Sequence, residues 1–232
     1  MKKILSILML VVLSFSLMAC KVSNVEYTYE LNEAGDGYVV VAFDASKVIT
    51  KNVILEVPSE YNGLPVKQVG RTDGETVALL TANRGYGKII IPDSVEIIGT
   101  SAFSSNQIGE VDFGNGLKYI ERSAFAMSAT LEKAIFPDSL IKIGRTAFKD
   151  CKALYVVDIP NGCQEIGQLA FENCTSLTEI FIPASVNTIG SNAFRGCENI
   201  TIKCEATSKP DDWKSNWFGD VPQENIIWGA NA

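Results

Sequence analysis

The pair Ala-Phe recurs at Ala102-Phe103, Ala124-Phe125, Ala147-Phe148, Ala170-Phe171 and Ala193-Phe194, in steps of 22, 23, 23 and 23 residues. Other columns keep the same phase. Ile recurs at Ile98, Ile120, Ile143, Ile166 and Ile189, followed by Gly99, Gly144, Gly167 and Gly190, with Glu121 as the exception. Pro92, Pro137, Pro160 and Pro183 share a further column, where Gly114 takes the second slot. Self-similarity at a fixed period of this size is the signature of a solenoid. No single unit can bury its apolar face, so each is stabilised by its neighbours.

Each unit opens with a short strand, as in Leu154–Ile159, where Leu154, Val157 and Ile159 point inward. Pro160 ends it, since proline cannot donate to a continuing ladder. Stacked units then place these strands in a parallel sheet about 4.8 Å apart. The Ile-Gly and Ala-Phe positions turn the chain back on the other side. There Gly is expected to supply a positive φ, Ala a close backbone approach and Phe the core.

Two of the units read VVDIPNGCQEIGQLAFENCTSL and IFIPASVNTIGSNAFRGCENI. They resemble the BspA-type (Treponema-type) bacterial leucine-rich repeat, and the resemblance runs over about residues 86–204. It implies a repeat solenoid with one parallel β-sheet face and short turns, 3-10 or helical segments on the opposite side. Similar tryptophan-containing tails close other members, and surface adhesion or protein interaction is the role the resemblance implies.

The chain divides accordingly. Residues 1–19 read as a bacterial lipoprotein signal peptide: Lys2 and Lys3 precede an apolar run from Ile4 to Leu17. That run is shorter than the roughly 20 residues of a bilayer span. Leu17-Met18-Ala19-Cys20 resembles a lipobox, making Cys20 the expected lipidation site; an ordinary secretory signal containing a Cys is the alternative. Residues 20–26 form a linker, and Lys21 to Tyr27 reach about 25 Å when extended, which keeps the body near its membrane. Residues 27–52 form an N-terminal β cap, a hairpin of Tyr27–Leu31 and Tyr38–Phe43 around Gly35-Asp36-Gly37. Residues 53–88 are a degenerate repeat with Val69-Gly70 in the Ile-Gly slot, a hairpin turn at Tyr61-Asn62-Gly63-Leu64 and a glycine-rich loop from Arg71 to Gly87. The leucine-rich repeats fill 89–204.

Residues 205–232 are the C-terminal cap. The period breaks there, Ser208-Lys-Pro-Asp211 reads as a helix start with a capping box, and Trp213, Trp217 and Trp228 are expected as cap core.

The sequence of 232 residues contains no histidine. A Ser-His-Asp or Cys-His nucleophile and a His-ligated zinc are therefore impossible. With 20 basic against 27 acidic side chains, a nucleic-acid footprint of clustered Lys and Arg is not expected. Asp112 and Asp158 fall two units apart, roughly 10 Å, the outer range for a glycosidase pair, but nothing marks either as buried. Asp93, Asp138, Asp150, Asp211 and Asp212 form no Asp-x-Asp-x-Asp-Gly calcium loop. No enzyme, catalytic residue, cofactor or metal is expected.

Cys151, Cys174 and Cys197 share one column with Ser128 and Asn106, and Cys163 stands where Val95, Leu117, Leu140 and Val186 stand. Side chains in one column point the same way, which is poor disulfide geometry, so these are expected as small buried thiols. Cys204 is left unassigned.

The outward columns of the sheet are the candidate binding face. One runs Ile90, Asp112, Ile135, Asp158, Phe181; its neighbour runs Lys88, Glu110, Lys133, Val156, Glu179. The expectation is a lipid-anchored binding module on the extracytoplasmic face of a bacterial membrane, with an extracellular protein or glycan as partner. The alternative is a wall-proximal structural, solute- or glycan-binding lipoprotein without host contact.

Overall fold

The computed structural model describes residues 25–44, 53–73 and 85–231. The expected signal peptide, Cys20 and most of the Arg71–Gly87 loop lie outside the described residues. No helix among the described residues is long and apolar enough to cross a membrane.

The repeats coil into a β-solenoid. Its front is a parallel sheet of Val53–Glu56, Gly85–Ile90, Gln107–Asp112, Lys133–Ile135 and Val156–Asp158. A second front sheet continues it with Glu179–Ile182, Thr201–Cys204 and Ile226–Trp228. Leu154, Val157 and Ile159 are buried and Asp158 is exposed, as the alternation requires.

The opposite side differs from the expected turns and helical segments: it carries a parallel sheet of its own. The residue pairs Ile97–Ile98, Tyr119–Ile120, Lys142–Ile143, Glu165–Ile166 and Thr188–Ile189 are its strands, in unbroken register. The N-terminal hairpin of Glu26–Leu31 and Tyr38–Asp44 is antiparallel, and its second strand joins this back sheet parallel to Leu64–Val69. The hairpin therefore supplies the first rung of the ladder as well as covering its end. Glu60–Tyr61 turns back on Leu64–Val69 through Asn62 and Gly63, at φ 49° and 76°, the two left-handed residues a tight hairpin turn demands.

Gly99, Gly144, Gly167 and Gly190 do not have the positive φ expected of them, whereas Gly70, in the same slot of the degenerate repeat, does, at 79°. Left-handed backbone falls instead two residues later, on Ser101, Ser123, Thr146, Leu169 and Asn192, at φ 53° to 57°. Glycine is needed because the coils approach too closely for a side chain. A Cβ on Gly144 would lie 2.7 Å from the Glu121 carbonyl carbon, and one on Gly167 would lie 2.5 Å from the Arg145 nitrogen.

Between the sheets, the Ala-Phe turns stitch each coil to the next. The amides of Phe103, Phe125, Phe148 and Phe171 donate to the carbonyls of Ala124, Ala147, Ala170 and Ala193 at 2.7–2.8 Å. The five alanines and five phenylalanines are fully buried. The rings stack in one column: Phe103–Phe125, Phe125–Phe148, Phe148–Phe171 and Phe171–Phe194 have centroids 5.2, 5.2, 5.5 and 5.7 Å apart. This continuous column, lined by Ile98, Ile120, Ile143, Ile166 and Ile189, is the core.

The expected helix at Ser208–Asp211 does not form. Among the described residues the one helical turn is a 3-10 segment at Gln223–Asn225. The stretch after Pro210 is instead a sixth turn of the solenoid. Ser215-Asn-Trp-Phe repeats Ser191-Asn-Ala-Phe 24 residues on, and the Asn192 and Ala193 amides donate to the Asn216 and Trp217 carbonyls at 2.8 Å. Trp213 and Trp217 are buried and Trp228 is half-buried against the core, so the tryptophans form the expected cap.

Candidate binding face

The front strands project the two outward columns as expected. Lys88, Ile90 and Phe181 are partly covered, whereas Glu110, Asp112, Lys133, Asp158 and Glu179 are exposed. Among the described residues Ile135 is the most open large apolar side chain, at 56%, and Tyr155, in the residue column beside Val156, is 43% exposed. The register extends this face further than the repeats suggested: Phe181 pairs with Lys203 and Lys203 with Ile227, itself 44% exposed. Ile227 went unnoticed because the cap was read as leaving the period.

Most charge on the face is neutralised within the chain. Lys88 Nζ lies 2.8 Å from a Glu110 carboxylate oxygen and 3.4 Å from one of Asp112, and these partners hold the ammonium above its ordinary pKa. Lys203 Nζ lies 2.8 Å from Glu179. Lys133 Nζ sits over the Tyr155 ring, 5.7 Å from its centroid, within the range of a cation–π contact. Asp112 and Asp158 are not brought into one pocket. Ile135 stands between them, both carboxylates are exposed, and Asp112 is spent on Lys88.

The back sheet has a different character. Its outward residues are half-buried and carry coil-to-coil ion pairs, Lys118 with Glu96 at 2.8 Å and Lys142 with Glu165 at 3.2 Å. Of the large apolar side chains exposed among the described residues, the one on this sheet is Leu31, at the end of the N-terminal hairpin strand and outside the repeats. At the turn edge, Glu172 has a side chain only 1% exposed and bridges two coils, ion-paired with Lys149 at 2.8 Å and accepting from Arg195. Burial raises its pKa, but the two cations overcome this and hold the carboxyl below its ordinary value.

The cysteines are structural. All five in the described residues are free and buried. Cys151, Cys174 and Cys197 each donate from Sγ to the phenylalanine carbonyl of the preceding coil, Phe125, Phe148 and Phe171, at 3.1–3.2 Å. Ser128 makes the same bond to Phe103 at 2.9 Å, which explains why Ser and Cys share the column. Burial pushes the thiols of Cys151, Cys197 and Cys204 up to about 12 and that of Cys163 to about 11. Cys204 pairs in register with Ile182, in the inward column of the front sheet. Among the described residues no group of three or more His, Cys, Asp or Glu side chains is placed to hold a metal ion. Of the loop acids, Asp93 accepts the Asn115 amide at 2.7 Å and Asp150 accepts the Asn173 side chain at 2.8 Å, both links between coils.

Residues 82–201 match the BspA type leucine rich repeat region in six copies. The chain is similar in structure to a T. pallidum leucine rich repeat protein, with 29% identity and a TM-score of 0.65, over 76% of this chain and 78% of that one. It is similar to the pneumococcal vaccine antigen PcpA, with 24% identity and a TM-score of 0.61, over 81% of this chain and 50% of that one. It also resembles a leucine rich cell surface protein of Faecalibacterium prausnitzii, with 22% identity and a TM-score of 0.52, over 85% and 58%. The chain thus spans about half the length of the latter two, and those two likenesses are of fold alone. No curated protein is similar to it.

Proposed function

This chain belongs to the BspA type leucine rich repeat family, and on that premise we propose that it is a protein-binding module displayed at the cell surface by a lipid on Cys20. Repeat proteins of this kind are generally interaction modules whose stacked strands create an extended surface. The observation that carries the reading is the contrast between the two sheets. Along the repeats the back carries ion pairs between coils and no exposed large apolar side chain, while the front leaves Ile135, Tyr155 and Ile227 open to solvent. Exposed apolar residues interleaved with charge are the composition of an interface. The core gives no competing function, since each repeated residue has a packing reason.

Surface display is supported by the likeness to a leucine rich cell surface protein of F. prausnitzii and by the lipobox. The test pairs localisation with capture. Cys20→Ser is expected to release the protein from the membrane fraction, and protease added to intact cells is expected to cleave it. Ile135→Asp with Phe181→Asp is expected to abolish capture of its protein partner, while Gln164→Glu on the back sheet leaves capture intact. Equal capture by the two variants would contradict the assignment of the front.

A further inference from the structure

The register of the front sheet constrains what such a partner must contain. Along one outward column, successive coils present Ile90, Asp112, Ile135, Asp158, Phe181, Lys203 and Ile227. Asp158 pairs in register with Ile135, about one strand spacing away, and Phe181 holds the same repeat position 23 residues on, in the next strand, across the break between the two front sheets. Any partner that covers both apolar side chains also covers Asp158 and strips its water. A carboxylate buried without a donor is costly, so the apolar patch can be used only by a ligand that supplies one.

The chain does not supply it. Lys88 is held by Glu110 and Asp112, Lys203 by Glu179, and Lys133 lies over Tyr155. Neither Asp158 nor Glu132, which is exposed next to Tyr155, has an ion pair among the described residues. The face has six acids, Glu56, Glu110, Asp112, Glu132, Asp158 and Glu179, against three lysines, Lys88, Lys133 and Lys203. Its residual charge is negative: one net charge lies with Lys88, Glu110 and Asp112, and Asp158 stands without an ion pair at its centre.

Resting on the front-sheet reading above, we propose that this centre recognises a protein segment bearing an Arg or Lys side chain between apolar residues. Asp158 receives the cation, and Ile135 and Phe181 receive the flanking groups. A charge-assisted bond made as water leaves is stronger than a neutral one. An acidic or wholly apolar segment would leave Asp158 desolvated and unpaired, so the same residue rejects it.

The experiment selects a random-peptide library on the full chain and measures the winning peptides against Asp158→Asn and Ile135→Asp, both exposed positions whose variants are checked for unchanged Tm. The expected peptides carry Arg or Lys flanked by apolar residues, lose binding to Ile135→Asp, and bind Asp158→Asn about ten-fold more weakly, the size of one charged hydrogen bond. Peptides that need Ile135 but lack a cation, or that bind Asp158→Asn as tightly, would overturn the cation assignment and leave the front-sheet reading standing. Peptides indifferent to both variants would overturn both.

Discussion

Trp217 closes the phenylalanine column edge-on: its ring centre lies 6.0 Å from that of Phe194, with the planes at 86°. From Phe125 to Phe194 the rings of the column lie within 7° of parallel. An indole set across the end presents its broad side chain where a further stacked ring would need yet another coil above it. Trp213 packs against Trp217 at 4.8 Å and donates from Nε1 to the Val186 carbonyl at 3.0 Å, which satisfies its buried indole N–H. Trp217→Ala should cost about 3–5 kcal/mol by transfer and cavity terms, measured by chemical denaturation. A loss below about 1 kcal/mol would mean that the cap does not seal the core.

Gly144→Ala tests the contact between coils. The added methyl meets the Glu121 backbone at 2.7 Å, so two coils must move apart or the turn must shift. A loss of about 1–3 kcal/mol is expected from overpacking. If φ were the reason for glycine here, alanine would be strained by its backbone; the φ of Gly144 is not in the left-handed region, and the crystal structure of the variant should show displaced coils with unchanged dihedrals.

How much of this was readable beforehand depended on whether a feature repeats at a fixed step. Ala-Phe, Ile-Gly and Pro do so, and they locate the core and the front sheet. The back sheet was hidden because strands of two residues, such as Lys142–Ile143, are too short to show alternation. The role of Gly144 was misjudged because a close approach and a left-handed backbone both exclude side chains and leave the same letter. The cap turn was missed because Trp217 replaces alanine and arrives after 24 residues, and a local Ser-x-x-Asp signal at Ser208 suggested a helix that the docking of Trp213 and Trp217 overrides. On the binding face, the outward columns were legible from alternation, but the ion pairing that isolates Asp158 depends on side-chain reach across coils.

The Glu172 bridge predicts an acid limb. Its carboxyl is held below the ordinary value of 4.5 in the folded state, so it binds protons less readily folded than unfolded. The stabilisation is then fully present above the unfolded pKa and is lost as pH falls through the lowered folded pKa. Glu172→Gln should flatten this part of the stability–pH curve, read as Tm between neutral and acid pH. An unchanged acid limb would show that other carboxylates carry it.

The buried thiols should be silent. With Cys151, Cys197 and Cys204 pushed up to about 12 and Cys163 to about 11, almost no thiolate exists at pH 8, and thiolate is the reactive form. A disulfide-exchange reagent should label none of the five in the folded protein and all five after denaturation. Cys151→Ser should change stability by less than about 1 kcal/mol, since Ser128 already makes the same bond one coil earlier and a net hydrogen bond is worth about that much.

The most direct measurement of the proposed function places a photo-crosslinking amino acid at Ile135 on the front sheet, and separately at Gln164 on the back, in otherwise unchanged protein on intact cells. The account predicts a discrete covalent adduct to another protein from position 135 and none from position 164. Equal adducts from both positions, or an adduct from position 164 alone, would contradict it.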